Sequence, residues 1–86
     1  MVALAEIGDQ IAFARKRRDL TQVQLAEKSG VSRATIDLLE NGRASEIGYS
    51  RLARILAAVG LELHLQAVTA QRPTLEDLLN ENSDNA

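Results

Sequence analysis

Ser32, Arg33, Ala34, Thr35 and Asp37 bring two hydroxyls, a guanidinium, a methyl group and a carboxylate together within six consecutive positions. Nothing in the chain pairs them with a catalytic base, a metal-ligand cluster or a glycine-rich phosphate loop. Their chemistry is that of contact with base edges. An arginine can hold guanine with two hydrogen bonds, an alanine methyl can meet a thymine methyl, and a carboxylate can accept from a cytosine amino group. Several assignments stay open. Arg33 fits a phosphate as well as a base, Thr35 fits either, and Asp37 would repel phosphates and fits equally a role as buffer to Arg33.

Two short helices must position these groups. Residues 21–42 read TQVQLAEKSGVSRATIDLLENG. Leu25, Ala26, Val31, Ile36 and Leu39 are apolar, with helical spacing inside each half. Gly30 stands between the halves, where the first helix must end in a left-handed conformation. Thr21 caps the first helix, which runs to about Ser29, and Ser32 caps the second, which runs from Arg33 to about Glu40. The apolar positions are consumed in packing the helices together. The polar set is left facing outward, with Leu38 off the packing face. A short helix with small polar residues and one arginine on its free face suits the major groove of DNA.

This stretch resembles the helix-turn-helix of the lambda-repressor-like (Cro/C1, XRE) family. The residues that carry the resemblance are Leu20-Thr21-Gln22, Leu25-Ala26, Gly30-Val31-Ser32, Ile36 and Leu39-Glu40-Asn41-Gly42. A plain αα-hairpin would need the apolar residues but not Gln22, Gly30 or the Glu-Asn-Gly end. The resemblance implies that Gln22 touches a DNA phosphate at a helix N-terminus, where backbone donors also favour anions. It implies further that Arg15 and Glu40 form a structural ion pair between the first helix and the end of the recognition helix.

Outward from this motif, residues 4–19 read as a first helix with Ile7, Ile11 and Ala14 on one face and Leu20 closing it. It ends on Arg15-Lys16-Arg17-Arg18. Cations at a helix C-terminus are favourable in their own right, and four in a row cover the whole circumference, so they cannot all serve one role. Lys16 and Arg17 are candidates for phosphate contact. After the recognition helix, Asn41, Arg43 and Ser45 lie in a polar loop and fit backbone-phosphate contacts, which position a protein without reading sequence. A further helix runs from about Gly48 to Val59 with Leu52, Ile55, Leu56 and Val59 buried, and Gly60 ends it. The resembled family usually has another short helix here, and this sequence departs from that.

Leu61-Glu62-Leu63-His64-Leu65-Gln66 alternates strictly, as a strand with one apolar face does. A lone strand leaves its backbone unpaired. The expected partner is the same segment of a second copy, giving an intermolecular two-stranded antiparallel sheet across a two-fold axis, with Leu61, Leu63 and Leu65 at the dimer contact. This ending resembles the HipB-like antitoxins that partner HipA-type kinases. Residues 67–73 are a linker, and Thr74 to Leu79 could start a short helix with Leu75, Leu78 and Leu79 on one side. His64 has no second histidine and no cysteine to join it in a metal site.

The bulk properties agree with a small binding domain. The 86 residues carry a net charge of −2 and no cysteine. Residues 1–65 balance at +1 and residues 66–86 at −3, so the acidity is concentrated in the tail. A near-neutral body binds DNA if its basic groups share one face. With one Phe, one Tyr and no Trp the core is aliphatic, and so small a core favours oligomerisation. No apolar run approaches the length of a membrane span, and the expected compartment is the cytoplasm, on the nucleoid.

The expected fold is therefore mainly α: four to five helices of the lambda-repressor-like type, with a C-terminal β-strand shared in a homodimer. Residues 1–66 form the DNA-binding and dimerisation domain and residues 67–86 an acidic tail. The expected partners are an inverted-repeat DNA operator, a second copy and, by the HipB-like resemblance, a HipA-like kinase toxin whose operon the protein represses. The alternative is a stand-alone phage-type repressor with no toxin partner. No enzyme activity and no cofactor are expected.

Overall fold

Helix ends in this chain are set by local hydrogen bonds that the sequence announces. A computed structural model describes residues 3–67 and holds four helices: α1 (Leu4–Arg17), α2 (Gln22–Ser29), α3 (Arg33–Glu40) and α4 (Tyr49–Ala58). At the start of α2, Thr21 Oγ1 accepts from the Gln24 N–H at 3.0 Å, and Gln24 Oε1 accepts from the Thr21 N–H at 2.8 Å. This reciprocal pair satisfies two backbone donors that a helix start leaves open. Ser32 Oγ accepts from the Thr35 N–H at 3.2 Å and starts α3 in the same way. The caps expected at Thr21 and Ser32 are thus in place.

Three helices end in the same motif. After α3, the Gly42 N–H bonds to the Leu39 carbonyl and the Arg43 N–H to the Leu38 carbonyl; after α4, Gly60 and Leu61 do the same to Ala57 and Leu56. Gly42 and Gly60 have φ of 69° and 77°, the left-handed region this motif requires. After α1 the corresponding residue is Asp19, with φ of 55°. Its N–H bonds to the Lys16 carbonyl at 3.0 Å, and the Leu20 N–H bonds to the Arg15 carbonyl at 3.1 Å. The first helix therefore stops at Arg17, two residues before the periodicity predicts, because the chain turns left-handed at Asp19.

Ile11, Leu25, Val31, Ile36, Leu39, Leu52, Ile55, Leu56 and Val59 form the buried core, and Ile7, Ala14 and Ala26 pack against it. These are the stripes the sequence marks on the four helices. Helix α3 packs on α1 and on α2, and α2 packs on α4. The approach of α1 to α3 is closest at Gly8, where an added Cβ would run into the Leu39 carbonyl oxygen. The turn between α2 and α3 holds the buried Ser29, whose Oγ accepts from the Val31 N–H at 3.2 Å. A bend stabilised from inside in this way fixes the angle between the two helices.

The alternating segment Leu61–Gln66 forms no strand in the single chain. The reason is physical: a ladder needs a second strand, and no other alternating segment exists in this sequence. Leu61 packs against the core of its own chain, Leu63 is 44% exposed and Leu65 is 100% exposed. The short helix expected over 74–79, and all of the tail from residue 68, lie outside the described residues. No described helix is long and apolar enough to cross a membrane.

Candidate nucleic-acid interface

The site begins with Arg15, in the last turn of α1. Its Nε donates to Glu40 Oε2 at 2.8 Å and its Nη2 to Glu40 Oε1 at 2.9 Å, while Nη1 donates to the Leu20 carbonyl at 2.7 Å. The two side chains are 11% and 6% exposed. The hydrogen bonds Arg15 donates to Glu40 raise its pKa, against the lowering effect of burial and with help from the nearby carboxylate charge. This planar, two-pronged pair is the ion pair that the resemblance implies, and it joins the end of α1 to the end of α3.

Glu40 passes the connection on. Its Oε1 also accepts from Gln22 Nε2 at 3.2 Å, and the same nitrogen donates to Asp37 Oδ1 at 3.2 Å. Asn41 Nδ2 donates to Asp37 Oδ1 at 3.0 Å and to the Asp37 carbonyl at 2.9 Å. One polar chain therefore runs Leu20–Arg15–Glu40–Gln22–Asp37–Asn41. It holds the N-terminus of α2 against the C-terminal half of α3, so it fixes which face of α3 is free. The expectation is Gln22, by resemblance, and Asn41 at phosphates, and Asp37 at a base or as a buffer to Arg33. The structure also engages all three inside the protein, where they use both Gln22 amide hydrogens and one Asp37 oxygen.

The outer face of α3 carries Arg33, Ala34, Asp37 and Leu38, all exposed, with Ser32 at its start. Thr35 is half-buried, and its hydroxyl lies 2.9 Å from that of Ser32. Arg43 and Ser45 are brought to the same side. With Thr35, Leu38, Glu46 and Arg51 they line a groove of about 340 Å³ between α3 and the start of α4. Arg43 and Arg51 thus flank the exposed face of α3, which bears Arg33 itself, with positive charge, and Glu46 is the acidic exception on the groove.

Arg17 is held apart from this cluster. It lies nine residues after Gly8, half a revolution round the helix, so it faces away from α3. There its guanidinium sits 5.7 Å from the centroid of the Phe13 ring. Lys16 is exposed on the flank between the two faces. A wider groove, about 570 Å³, is also on the far side, lined by Phe13, Ala14, Arg17, Arg18, Val59 and Leu61 among others.

Sequence reasoning missed four structural residues. Gly8 sets the spacing of α1 and α3. Asp19 ends α1. Ser29 braces the central turn. Arg18 Nε donates to the Val59 carbonyl at 2.9 Å and lies against Gly60, tying the end of α1 to the end of α4. Only Gly8 left a legible signal, since an interior helix glycine costs about 1 kcal/mol against alanine and so needs a packing reason. Among the described residues no group of three or more His, Cys, Asp and Glu side chains is placed to hold a metal ion.

Two helices in this relation, the second capped by Ser32 and presented outward, are matched by a known family. The sequence profile described as "Helix-turn-helix domain" covers residues 1–68. The chain belongs to this helix-turn-helix family. It is also 39% identical over 57 residues to the immunity repressor protein of Bacillus phage phi105. That alignment takes in 66% of this chain and 39% of the phage protein, so the chain spans about two fifths of the relative's length. Both matches support the lambda-repressor-like type of helix-turn-helix, and neither singles out the HipB-like subfamily. No solved structure matches the chain.

Proposed function

We propose that this helix-turn-helix protein is a sequence-specific DNA-binding transcriptional repressor of the stand-alone, phage-type kind. The observation that carries the reading is the free outer face of α3, which bears Arg33, is held in place by the Arg15–Glu40–Gln22–Asp37–Asn41 chain and is flanked by Arg43 and Arg51. A helix so presented enters the major groove by its N-terminal end. Ser32, Arg33, Ala34 and Thr35 then meet base edges, with Asp37 behind them. Lys16, Gln22, Asn41, Arg43 and Ser45 meet phosphates, where Gln22 and Asn41 must each exchange an internal hydrogen bond for the DNA. Arg17 is the weakest member of that set, because its face of α1 is turned away.

One recognition helix reads only a few base pairs. A homodimer joined through Leu63 and Leu65 doubles the site and dictates an inverted repeat with half-sites about one helical turn, or 10 bp, apart. Such a protein works in the cytoplasm, on the nucleoid. The kinship with a phage immunity repressor favours this reading over that of a HipB-like antitoxin with a HipA-like kinase partner. The antitoxin reading retains the alternating segment Leu61–Gln66 and the acidic tail in its support.

The test is DNase footprinting of the full chain on the region upstream of its own gene, with and without the product of the adjacent gene. Protection of an inverted repeat by this chain alone is the expected result. A footprint that appears only with the neighbouring product would favour the antitoxin reading, and no protection of any site would overturn repression by direct binding.

A further inference from the structure

Leu38 is an anomaly on the outer face of α3. It is a large apolar side chain, 46% exposed, on a surface whose other large side chains are the polar Arg33, Asp37 and Asn41. It stands four residues after Ala34, and residues at that spacing are neighbours on one helix face, about 5–6 Å apart. Ala34 is exposed too. Between them they form a short apolar edge along the helix. On its other side Leu38 borders the groove that holds Arg43 and Arg51, so a DNA backbone lying on those cations would bring the base edges next to Leu38. The polar alternative at this end of the helix is Asp37, and its Oδ1 is already used by Gln22 and Asn41.

Resting on the DNA-binding reading above, we infer that Leu38 and Ala34 together read thymine C5-methyl groups, and that Asp37 is a positioning residue which holds Gln22 and Asn41 rather than a reader of cytosine. The major groove offers that methyl only at thymine, so an apolar edge there distinguishes thymine from cytosine. Covering one methyl group from water corresponds to about a fourfold change in affinity, taking the transfer value for one carbon.

The experiment uses the full chain and an operator selected from random duplexes. Each half-site thymine is replaced in turn by deoxyuridine, which removes the methyl and keeps every hydrogen-bonding group. Binding is measured for the wild type, Leu38→Asn and Asp37→Asn, and the fold of each variant is checked by thermal melting. The expected result is a loss of about fourfold at one or two thymines in the wild type. Leu38→Asn should bind the thymine operator more weakly and lose that sensitivity. Asp37→Asn should weaken binding without changing which base is preferred at any position.

Three results overturn the inference: no effect of deoxyuridine anywhere, an unchanged effect in Leu38→Asn, or a switched preference at a cytosine in Asp37→Asn. Melting of Leu38→Asn well below the wild type with its methyl sensitivity intact would assign Leu38 to packing instead. Failure of the selection to enrich any sequence overturns sequence-specific binding itself, and is thereby distinguishable from failure of methyl reading.

Discussion

At the scale of single residues, burial decides which cations matter for stability. Arg15 and Arg17 are two positions apart on α1, yet one is almost enclosed with Glu40 and the other lies exposed on Phe13. Arg15→Ala leaves Glu40, whose side chain is only 6% exposed in the pair, with only Gln22 as partner. Stranding one half of such a pair costs about 3 kcal/mol, whereas an exposed charge costs about 0.5 kcal/mol or less. Urea melts should therefore show a large loss for Arg15→Ala and almost none for Arg17→Ala; equal midpoints would remove the structural role of the pair. The raised pKa of Arg15 means this contribution is present below the arginine's unfolded value and is lost only as pH rises through its still higher folded value. From the arginine side the pair is thus insensitive to pH across the neutral range.

Gly8 tests the opposite intuition. Alanine is the better helix former by about 1 kcal/mol, but its methyl would occupy the place of the Leu39 carbonyl oxygen. Backbone has to move, and forced repacking of that kind costs about 1–3 kcal/mol. Gly8→Ala should lower the melting temperature and disturb α3, which would show as weakened DNA binding as well. A variant more stable than the wild type would mean that α1 and α3 do not meet as closely as this. A glycine inside a helix announces that something packs closely on it, but the sequence does not say what, because the partner of Gly8 is a backbone atom 31 positions away. The Arg15–Glu40 pair was legible only through family resemblance, since nothing in the spacing of 25 residues predicts it.

At the scale of elements, helix ends were the most readable part of the chain. Thr21, Ser32, Gly30, Gly42 and Gly60 all stand where their chemistry places them. Asp19 is the exception, as an aspartate doing what glycine does at the ends of α3 and α4. Its left-handed conformation carries strain that glycine avoids, partly offset by the greater freedom glycine has in the unfolded chain. Asp19→Gly should therefore raise stability by about 0.5 kcal/mol. Gly60→Ala should act in the other direction and more strongly, by about 1–2 kcal/mol for the left-handed φ alone, with the added methyl driven into Arg18. Thermal melts of the two variants should move apart in opposite senses. Stabilisation by Gly60→Ala would show that the end of α4 is free to take another conformation.

At the scale of the whole molecule, the proposed pairing of two copies is tested by the three leucines of the alternating segment. The sequence treats Leu61, Leu63 and Leu65 as equivalent, because alternation places them on one face. The fold makes them unequal: Leu61 packs on the core of its own chain, and Leu65 is fully exposed. If the segment pairs with its copy in an antiparallel sheet, Leu65→Asp should leave the folding of the single chain intact while weakening self-association. Sedimentation equilibrium would then show a shift toward monomer at micromolar protein. Operator binding would weaken, since each monomer holds one half-site and loses the gain in effective concentration that a linked second half-site provides. Leu61→Asp should damage both properties, because it removes apolar contact from the core as well as from the dimer. If instead Leu65→Asp binds the full inverted repeat as tightly as the wild type and sediments identically, the alternating segment is not where the copies join. A dimer, if the chain forms one, would then have to use another apolar surface, and the groove beside Phe13 and Val59 would be the next to mutate.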